Sequence, residues 1–387
     1  MERTTPLASL LEVAGATPTG DGAIADNSLT SQSQTPPAQT PPGNERGQGA
    51  TSLRRPGSRT QALLGVKVYG CGAYAPTNVV TNEVLRDRYG FDPEWIVQRT
   101  GITERRWVSS GEATSDLSVE AARRAIQDAN ISPDEIDLVI VGTLSPDHSF
   151  PSTACLVQDR LGLEAAAFDL QAGCSGFMYT MTTAAQFVAN GTARYALAIG
   201  ADVCSKFLNM SDQKSAPLFG DGAGAVVIGP GDPHQGLICY QLGADGAGGN
   251  FIYRPACGSR NAVTTEDLSK GNQYLHMDGR NVFKWAVRTV SESVELMLNK
   301  TGMSVHDVSL FLFHQANMRI IDAVADQLGI PREKMINNLS RYGNTSGASI
   351  PLVLDEAMQG DRIRTGDTVL MCGFGTGLTW GTGLFRW

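Results

Sequence analysis

The sequence has little that would cross-link a chain or hold it in a membrane. Its seven cysteines, at positions 71, 155, 174, 204, 239, 257 and 372, are widely spaced and odd in number, with no C-x-x-C pair. That pattern excludes a disulfide framework and a zinc-finger site, and it predicts a reducing compartment, the cytoplasm. No run of eighteen apolar residues occurs, so no membrane-spanning helix is expected. Positive charge is in deficit. Lys and Arg number 31 against 39 Asp and Glu, a net charge of −8 that argues against a nucleic-acid binder. There are only five histidines, so one placed beside a reactive group is informative. What is present is a soluble globular composition, 42% hydrophobic and 18% charged, over a length that suits one large domain or two ordinary ones.

Residues 1–62 are rich in Thr, Pro, Gly, Gln and Ser, as in Ser31–Gly43, and read as a disordered tail. Leu7–Gly15 is too short for the apolar core of a signal peptide and is interrupted by Glu12. Order is expected to begin with an alternating strand at Leu63–Cys71. A short helix and a turn follow within Asp92–Arg106. Leu117, Ala121, Ala125 and Ala129 then recur at helical spacing. Asp137–Gly142 is a continuous apolar run, as in a strand covered on both faces. Thr153–Leu161 reads as a helix, Ala165–Phe168 as the end of a strand, and Tyr195–Gly200 as a further strand. The glycines of Phe219–Gly229 suggest a dinucleotide loop, but β-formers follow where a helix should, so they read instead as permitting close backbone packing. Gly243–Asn272 shows no periodicity and reads as a long loop. Apolar positions from Val282 to Met297 mark a long amphipathic helix.

The second half echoes the first. Ser309–His314 resembles Asp137–Gly142, and each precedes a helix ending in a near-copy, Asp159-Arg-Leu-Gly-Leu163 and Asp326-Gln-Leu-Gly-Ile330. The offsets, 309 − 137 = 172 and 326 − 159 = 167, nearly agree. This predicts two duplicated βαβ halves, residues 63–235 and 236–387, behind the tail.

Four stretches carry chemistry. In Asp169–Phe177, Cys174 stands between Gly173 and Gly176 at a strand-to-helix turn. The free N–H groups at a helix start favour a thiolate and can bind a developing oxyanion. His314 ends a buried strand, where an α/β sheet presents site residues. Asn344 lies in the loop Arg341–Gly347, which opens onto a helix. Cys372–Gly381 is a glycine cluster between two apolar strands. Taken singly, each also fits a bland role: a buried cysteine, a core histidine, a turn former and a tight hairpin.

Together these stretches resemble the β-ketoacyl-acyl-carrier-protein synthase III family of the thiolase superfamily. The resemblance covers roughly residues 63–387 and rests on Ala172–Phe177, His314-Gln-Ala-Asn317, Gly343-Asn-Thr-Ser346 and Gly373–Gly381, in that order. It implies an α/β fold, the five-layered α-β-α-β-α arrangement of two similar halves, and a homodimer. It implies that Cys174 takes the acyl group of an acyl-CoA and that malonyl-acyl carrier protein then loses CO₂. His314 and Asn344 would stabilise the enolate, and the backbone N–H groups of Cys174 and Thr376 would bind the tetrahedral oxyanion. Family members commonly carry Gly or Ala where Thr376 stands. Trp95, Arg99 and Thr100, in a Trp-x-x-x-Arg-Thr-Gly pattern, would contact CoA. Asp212-Gln213-Lys214 departs from the family's Asp-Arg, which puts a second CoA contact in question. Lys284 and Arg319 would meet the acidic carrier protein, and Phe150 would reach across the dimer to the partner's acyl pocket. No metal and no cofactor beyond the substrates is implied. The implied function is an acyltransferase that starts type II fatty-acid synthesis from a short acyl-CoA. The alternatives are a related acyltransferase that moves the acyl group onto another nucleophile, a starter-unit synthase of specialised metabolism, and a silent carrier-protein-binding partner.

Overall fold

The computed structural model describes residues 60–387. Apolar runs too continuous to face water on either side become the inner strands of two five-stranded sheets. The strands are β1 (Gln61–Leu64), β2 (Val66–Tyr74), β3 (Ile136–Gly142), β4 (Ala166–Leu170), β5 (Tyr195–Val203), β6 (Asp221–Pro230), β7 (Gly236–Ala244), β8 (Leu310–Phe313), β9 (Thr368–Gly375) and β10 (Thr379–Arg386). One sheet runs β2-β6-β5-β3-β4 and the other β1-β7-β10-β9-β8. The duplication is visible in the pairing. In the first sheet β2/β6 and β6/β5 are antiparallel, and β5/β3 and β3/β4 are parallel. In the second, β7/β10 and β10/β9 are antiparallel and β9/β8 parallel, and a single parallel bridge from Phe311 to Met335 stands where β4 does.

Six helices supply the other layers: α1 (Thr114–Ala129), α2 (Thr153–Leu161), α3 (Gly176–Ala189), α4 (Gly279–Thr301), α5 (Met318–Leu328) and α6 (Ser349–Gln359). Alternation along each strand sends its side chains to two cores. In β3, Val139 and Val141 pack outward against Leu117, Ala121 and Ala125 of α1 and Val157 of α2, while Ile140 packs inward. The inward face meets Phe177, Met178 and Met181 of α3 and Val353 and Leu354 of α6, which also touch Leu312, Met371 and Phe385 of the second sheet. On the far side, Val290, Val294 and Met297 of α4 and Val324 of α5 cover Phe311, Leu370 and Leu384. The layers are therefore helices, sheet, α3 and α6, sheet, helices. Phe177 and Met181 have no solvent exposure, so each contributes ~2 kcal/mol from apolar burial.

Three local expectations are corrected. The strand expected at Leu63–Cys71 is two strands in different sheets, because Gly65 turns the backbone to φ +79° between β1 and β2. Gln61 and Ala62, read as the end of the tail, belong to β1; the rest of that tail up to residue 59 lies outside the described residues. The stretch read as a loop, Gly243–Asn272, contains a helix at Thr265–Lys270, whose N-terminus is capped by the Thr264 hydroxyl accepting from Asp267 N at 3.1 Å. Six residues are too few to display a helical period. From Asp221 on, the Phe219–Gly229 run is β6, where a Cβ on Gly224 would lie 2.6 Å from Pro351 of α6, so its glycine serves close packing.

Candidate active site

Cys174 stands in the single turn Gly173–Ser175 between β4 and α3. Gly173 has φ +52°, and a Cβ there would fall 2.5 Å from Cγ2 of Thr376, so conformation and space both demand glycine. The residue is 8% exposed. The Ser346 hydroxyl donates to its sulfur at 3.5 Å, and the N–H groups of Thr376 and Cys174 also face it. These donors pull the thiol pKa down, but burial outweighs them and pushes it up to about 11. The resting residue is thus a thiol. The helix start was expected to favour a thiolate, and desolvation, which sequence does not reveal, wins. Alkylation of Cys174 by iodoacetamide should therefore rise about tenfold per pH unit from 6 to 9, because the thiolate fraction grows in that way below the pKa. A plateau near pH 7, followed by peptide mapping of the label, would show instead that the thiol ionises near neutrality.

His314 follows β8. Its backbone N–H donates to Cys372 O at 2.9 Å, continuing the parallel pairing with β9, and its ring meets Phe374 edge-on at 5.1 Å. The residue is 1% exposed, and burial drives the imidazole pKa down to about 3, so it is neutral at any physiological pH. Nδ1 is buried with no hydrogen-bond partner among the described residues. An orphaned donor is costlier than an orphaned acceptor, so the proton belongs on Nε2. Asn344 is clamped by its backbone, which donates to Leu218 O at 2.8 Å and accepts from Gly220 N at 3.1 Å. Its Oδ1 accepts from Ser346 N at 2.9 Å, which orients the amide and leaves Nδ2 as the free donor. The loop is held in turn by the buried Asp202 carboxylate, which accepts from Gly347 N at 2.9 Å and from Thr143, Leu144 and Ser145.

Cys174, His314, Asn344 and Thr376 all line one cavity of about 480 Å³. Four segments of the chain thus bring one thiol, two side-chain donors and two backbone donors to a common space. Among the described residues no cluster of three or more His, Cys, Asp or Glu could hold a metal ion, and no helix is long and apolar enough to cross a membrane.

Comparison with known proteins decides the family. The family model for 3-oxoacyl-[acyl-carrier-protein] synthase III matches residues 168–246, and the model for its C-terminal part matches residues 298–387. The β-ketoacyl-[acyl-carrier-protein] synthase III of Rhodopirellula baltica is 50% identical over 343 residues, covering 84% of this chain and 99% of that one. The crystal structure of 3-oxoacyl-[acyl-carrier-protein] synthase III from Aquifex aeolicus superposes with a TM-score of 0.78 at 41% identity, covering 84% of this chain and all of that one. The chain belongs to the β-ketoacyl-acyl-carrier-protein synthase III family. It is a condensing acyltransferase with the thiolase-like fold. The priming β-ketosynthase of the R1128 polyketide pathway also superposes, at a TM-score of 0.78 and 33% identity, covering 86% of this chain and 98% of that one.

The other residues singled out for a synthase III fall in different places. Trp95 and Arg99 line the cavity from the helix Pro93–Thr100, which Asp92 caps by accepting from Glu94 N at 3.0 Å and Trp95 N at 3.2 Å. Thr100 also lines it, but its hydroxyl donates to Ile96 O at 2.6 Å and accepts from Ile102 N at 3.0 Å, so it finishes the helix and has no proton left for a ligand. Lys284 and Arg319 are exposed outside the cavity lining, with Arg319 stacked 5.8 Å from the ring of Phe283, which does line it. Phe150 is 85% exposed and away from this cavity.

Sequence reasoning left out several lining residues. Arg254 and Phe207 line the cavity unnamed by any motif, together with Lys214, whose segment was read only as departing from the family's second CoA contact. Ser346 was quoted only as part of the asparagine motif, and its contact with the sulfur depends on a backbone φ of +51° that no motif announces.

Proposed function

We propose that this protein condenses a short acyl-CoA primer, acetyl-CoA or a near relative, with malonyl-acyl carrier protein to give a 3-oxoacyl-acyl carrier protein, opening type II fatty-acid synthesis. The observation that carries this reading is the convergence of Cys174, His314, Asn344 and the Thr376 N–H on one cavity. The Cys174 sulfur attacks the thioester carbonyl. The C–S bond to CoA breaks, and the thiol proton leaves with the CoA sulfur, so acyl-Cys174 and CoA-SH result. His314, with its pKa near 3, is too weak a base to take that proton for long. Its Nε2–H and the Asn344 Nδ2–H serve instead as donors to the malonyl thioester oxygen, where negative charge develops as the C–CO₂ bond breaks. The resulting carbon attacks acyl-Cys174, and the tetrahedral oxygen rests on the Cys174 and Thr376 N–H groups before the C–S bond cleaves; the Cys174 thiolate released takes one proton from solvent, which restores the thiol. No cofactor beyond the two substrates enters this balance.

Trp95 would stack on the CoA adenine, with Arg99, Lys214 and Arg254 near its phosphates. Lys214→Ala should then raise KM for acyl-CoA about 3- to 10-fold with kcat little changed, the effect of one exposed charge on an anion. Steady-state kinetics that put the loss in kcat instead would contradict this placement. Lys284 and Arg319 would receive the acidic carrier protein. Phe150, a large aromatic ring left 85% exposed, suits burial against a second copy in a homodimer. Use of acyl-CoA and carrier protein supports a cytoplasmic location.

A primer scan tests the reading: acetyl-, branched, medium and long acyl-CoA, each with malonyl-carrier protein, with the 3-oxoacyl product identified by mass. Condensation with a short primer is expected. A preference for an unusual starter would favour the second reading, a priming synthase of specialised metabolism, to which the R1128 structure draws attention. Acylation of Cys174 without condensation would point to transfer onto another nucleophile.

A further inference from the structure

The two backbone donors that face the sulfur come from segments some 200 residues apart, the nucleophile turn and the β9–β10 hairpin, and an oxyanion hole works only if their spacing is fixed. A pair of side-chain hydroxyls joins these segments. Ser175 Oγ lies 2.8 Å from Thr379 Oγ1 and 2.7 Å from Ala172 O. Thr379 Oγ1 lies 2.7 Å from Ala172 O and 2.9 Å from Thr376 O. Each hydroxyl has one proton to give. Ala172 O already accepts from Ser175 N at 3.2 Å. With Thr379 giving its one proton to Thr376 O, the 2.8 Å contact between the two hydroxyl oxygens needs a proton from the other side, so Ser175 donates to Thr379. Thr376 has a second anchor, since its own hydroxyl donates to Ile252 O at 2.6 Å. Ser175 is fully buried, so its hydroxyl does not turn to water.

We infer that Thr379, bridged to Ser175, is a positioning residue that sets the spacing between the Cys174 and Thr376 N–H groups and so tunes the oxyanion hole. Thr379 touches neither the sulfur nor, in the chemistry proposed above, the reacting atoms. It holds the carbonyl side of the residue whose N–H does. The inference rests on the acyl-Cys174 reading, and the test separates the two.

The experiment compares two reactions of one sulfur in the full-length protein. Acylation by acyl-CoA builds an oxyanion on a carbonyl carbon, whereas alkylation by iodoacetamide displaces iodide from a saturated carbon and builds none. Thr379→Val keeps the shape and removes the bridge. It should slow acylation of Cys174 about 10- to 100-fold, seen as a fall in the acylation rate constant rather than in affinity for acyl-CoA, while alkylation stays within twofold of the parent. Thr379→Ser, which restores the hydroxyl, should acylate within threefold of the parent, and Ser175→Ala should lose less than Thr379→Val. Equal loss in both reactions would mean a general disturbance of the nucleophile, and unchanged acylation would mean an idle bridge; either overturns the inference. If Thr379→Val does not fold, Ser175→Ala, which removes the bridging donor, decides it by the same two reactions: slower acylation with alkylation within twofold of the parent supports the inference, and unchanged acylation overturns it. Should the parent itself fail to acylate, the proposed function fails, and the parent control shows that separately.

Discussion

Cys174→Ser lowers condensation by a factor on the order of 10³ or more, by the measure of other enzymes stripped of a nucleophile. A serine hydroxyl fits the same turn and keeps the same backbone N–H groups, so the fold should persist. What changes is the attacking atom. Even a thiol held at a pKa of about 11 ionises far more readily than an alcohol; its side-chain hydrogen-bond partner is the Ser346 hydroxyl, and His314, with a pKa near 3, is a weak base. The measurement is product formation from acyl-CoA and malonyl-carrier protein, with thermal unfolding as the control for folding. A serine variant keeping a tenth of parental activity would remove Cys174 as the acyl carrier.

Gly375→Ala is the second large loss, and it needs no change in any chemical group. A Cβ built on Gly375 lies 2.7 Å from Cys174 Cβ, 2.8 Å from its N and 2.9 Å from Sγ. None of those atoms is the loose end of a flexible side chain, so the hairpin and the nucleophile turn must separate. Displacement of about an ångström at a reacting centre costs on the order of 10²-fold in rate. Loss of one oxyanion donor costs ~10²- to 10³-fold in kcat. The variant should therefore lose at least about 100-fold in acylation, with acyl-CoA affinity retained at the cavity mouth. The readouts are the single-turnover acylation rate and equilibrium binding of a non-reactive CoA analogue. Retained acylation would mean that the hairpin yields without harm and that Thr376 N–H is not needed where it stands.

The legible parts of this molecule were those written in one short stretch of sequence. The near-copies Asp159–Leu163 and Asp326–Ile330 are the ends of α2 and α5, where Gly162 and Gly329 take the same left-handed backbone, at φ +67° and +66°. A repeated stop signal is local chemistry, so it survives as sequence. The pairing of Cys174, His314 and Asn344 was legible through motif resemblance rather than from their separation along the chain. The protonation state of the thiol was not legible, because desolvation is set by all the residues packed round it. Nor was the presence of Lys214 and Arg254 at one cavity, since both come from loops whose paths follow from packing. The division of Leu63–Cys71 between two sheets was hidden because apolar alternation runs through Gly65 almost unbroken.

That division has a consequence for assembly. Strand β1 pairs with β7, Gln61 opposite Tyr240 and Leu64 opposite Gly236, so a ribbon from the chain's early part closes the border of the later sheet. A contact joining positions so distant forms late, once most of the chain has collapsed. A version clipped just before β2 would keep every chemical group described above yet bare the flank of β7, whose unpaired amides then invite a neighbouring molecule. The short strand thus protects against misassociation while standing outside the reaction.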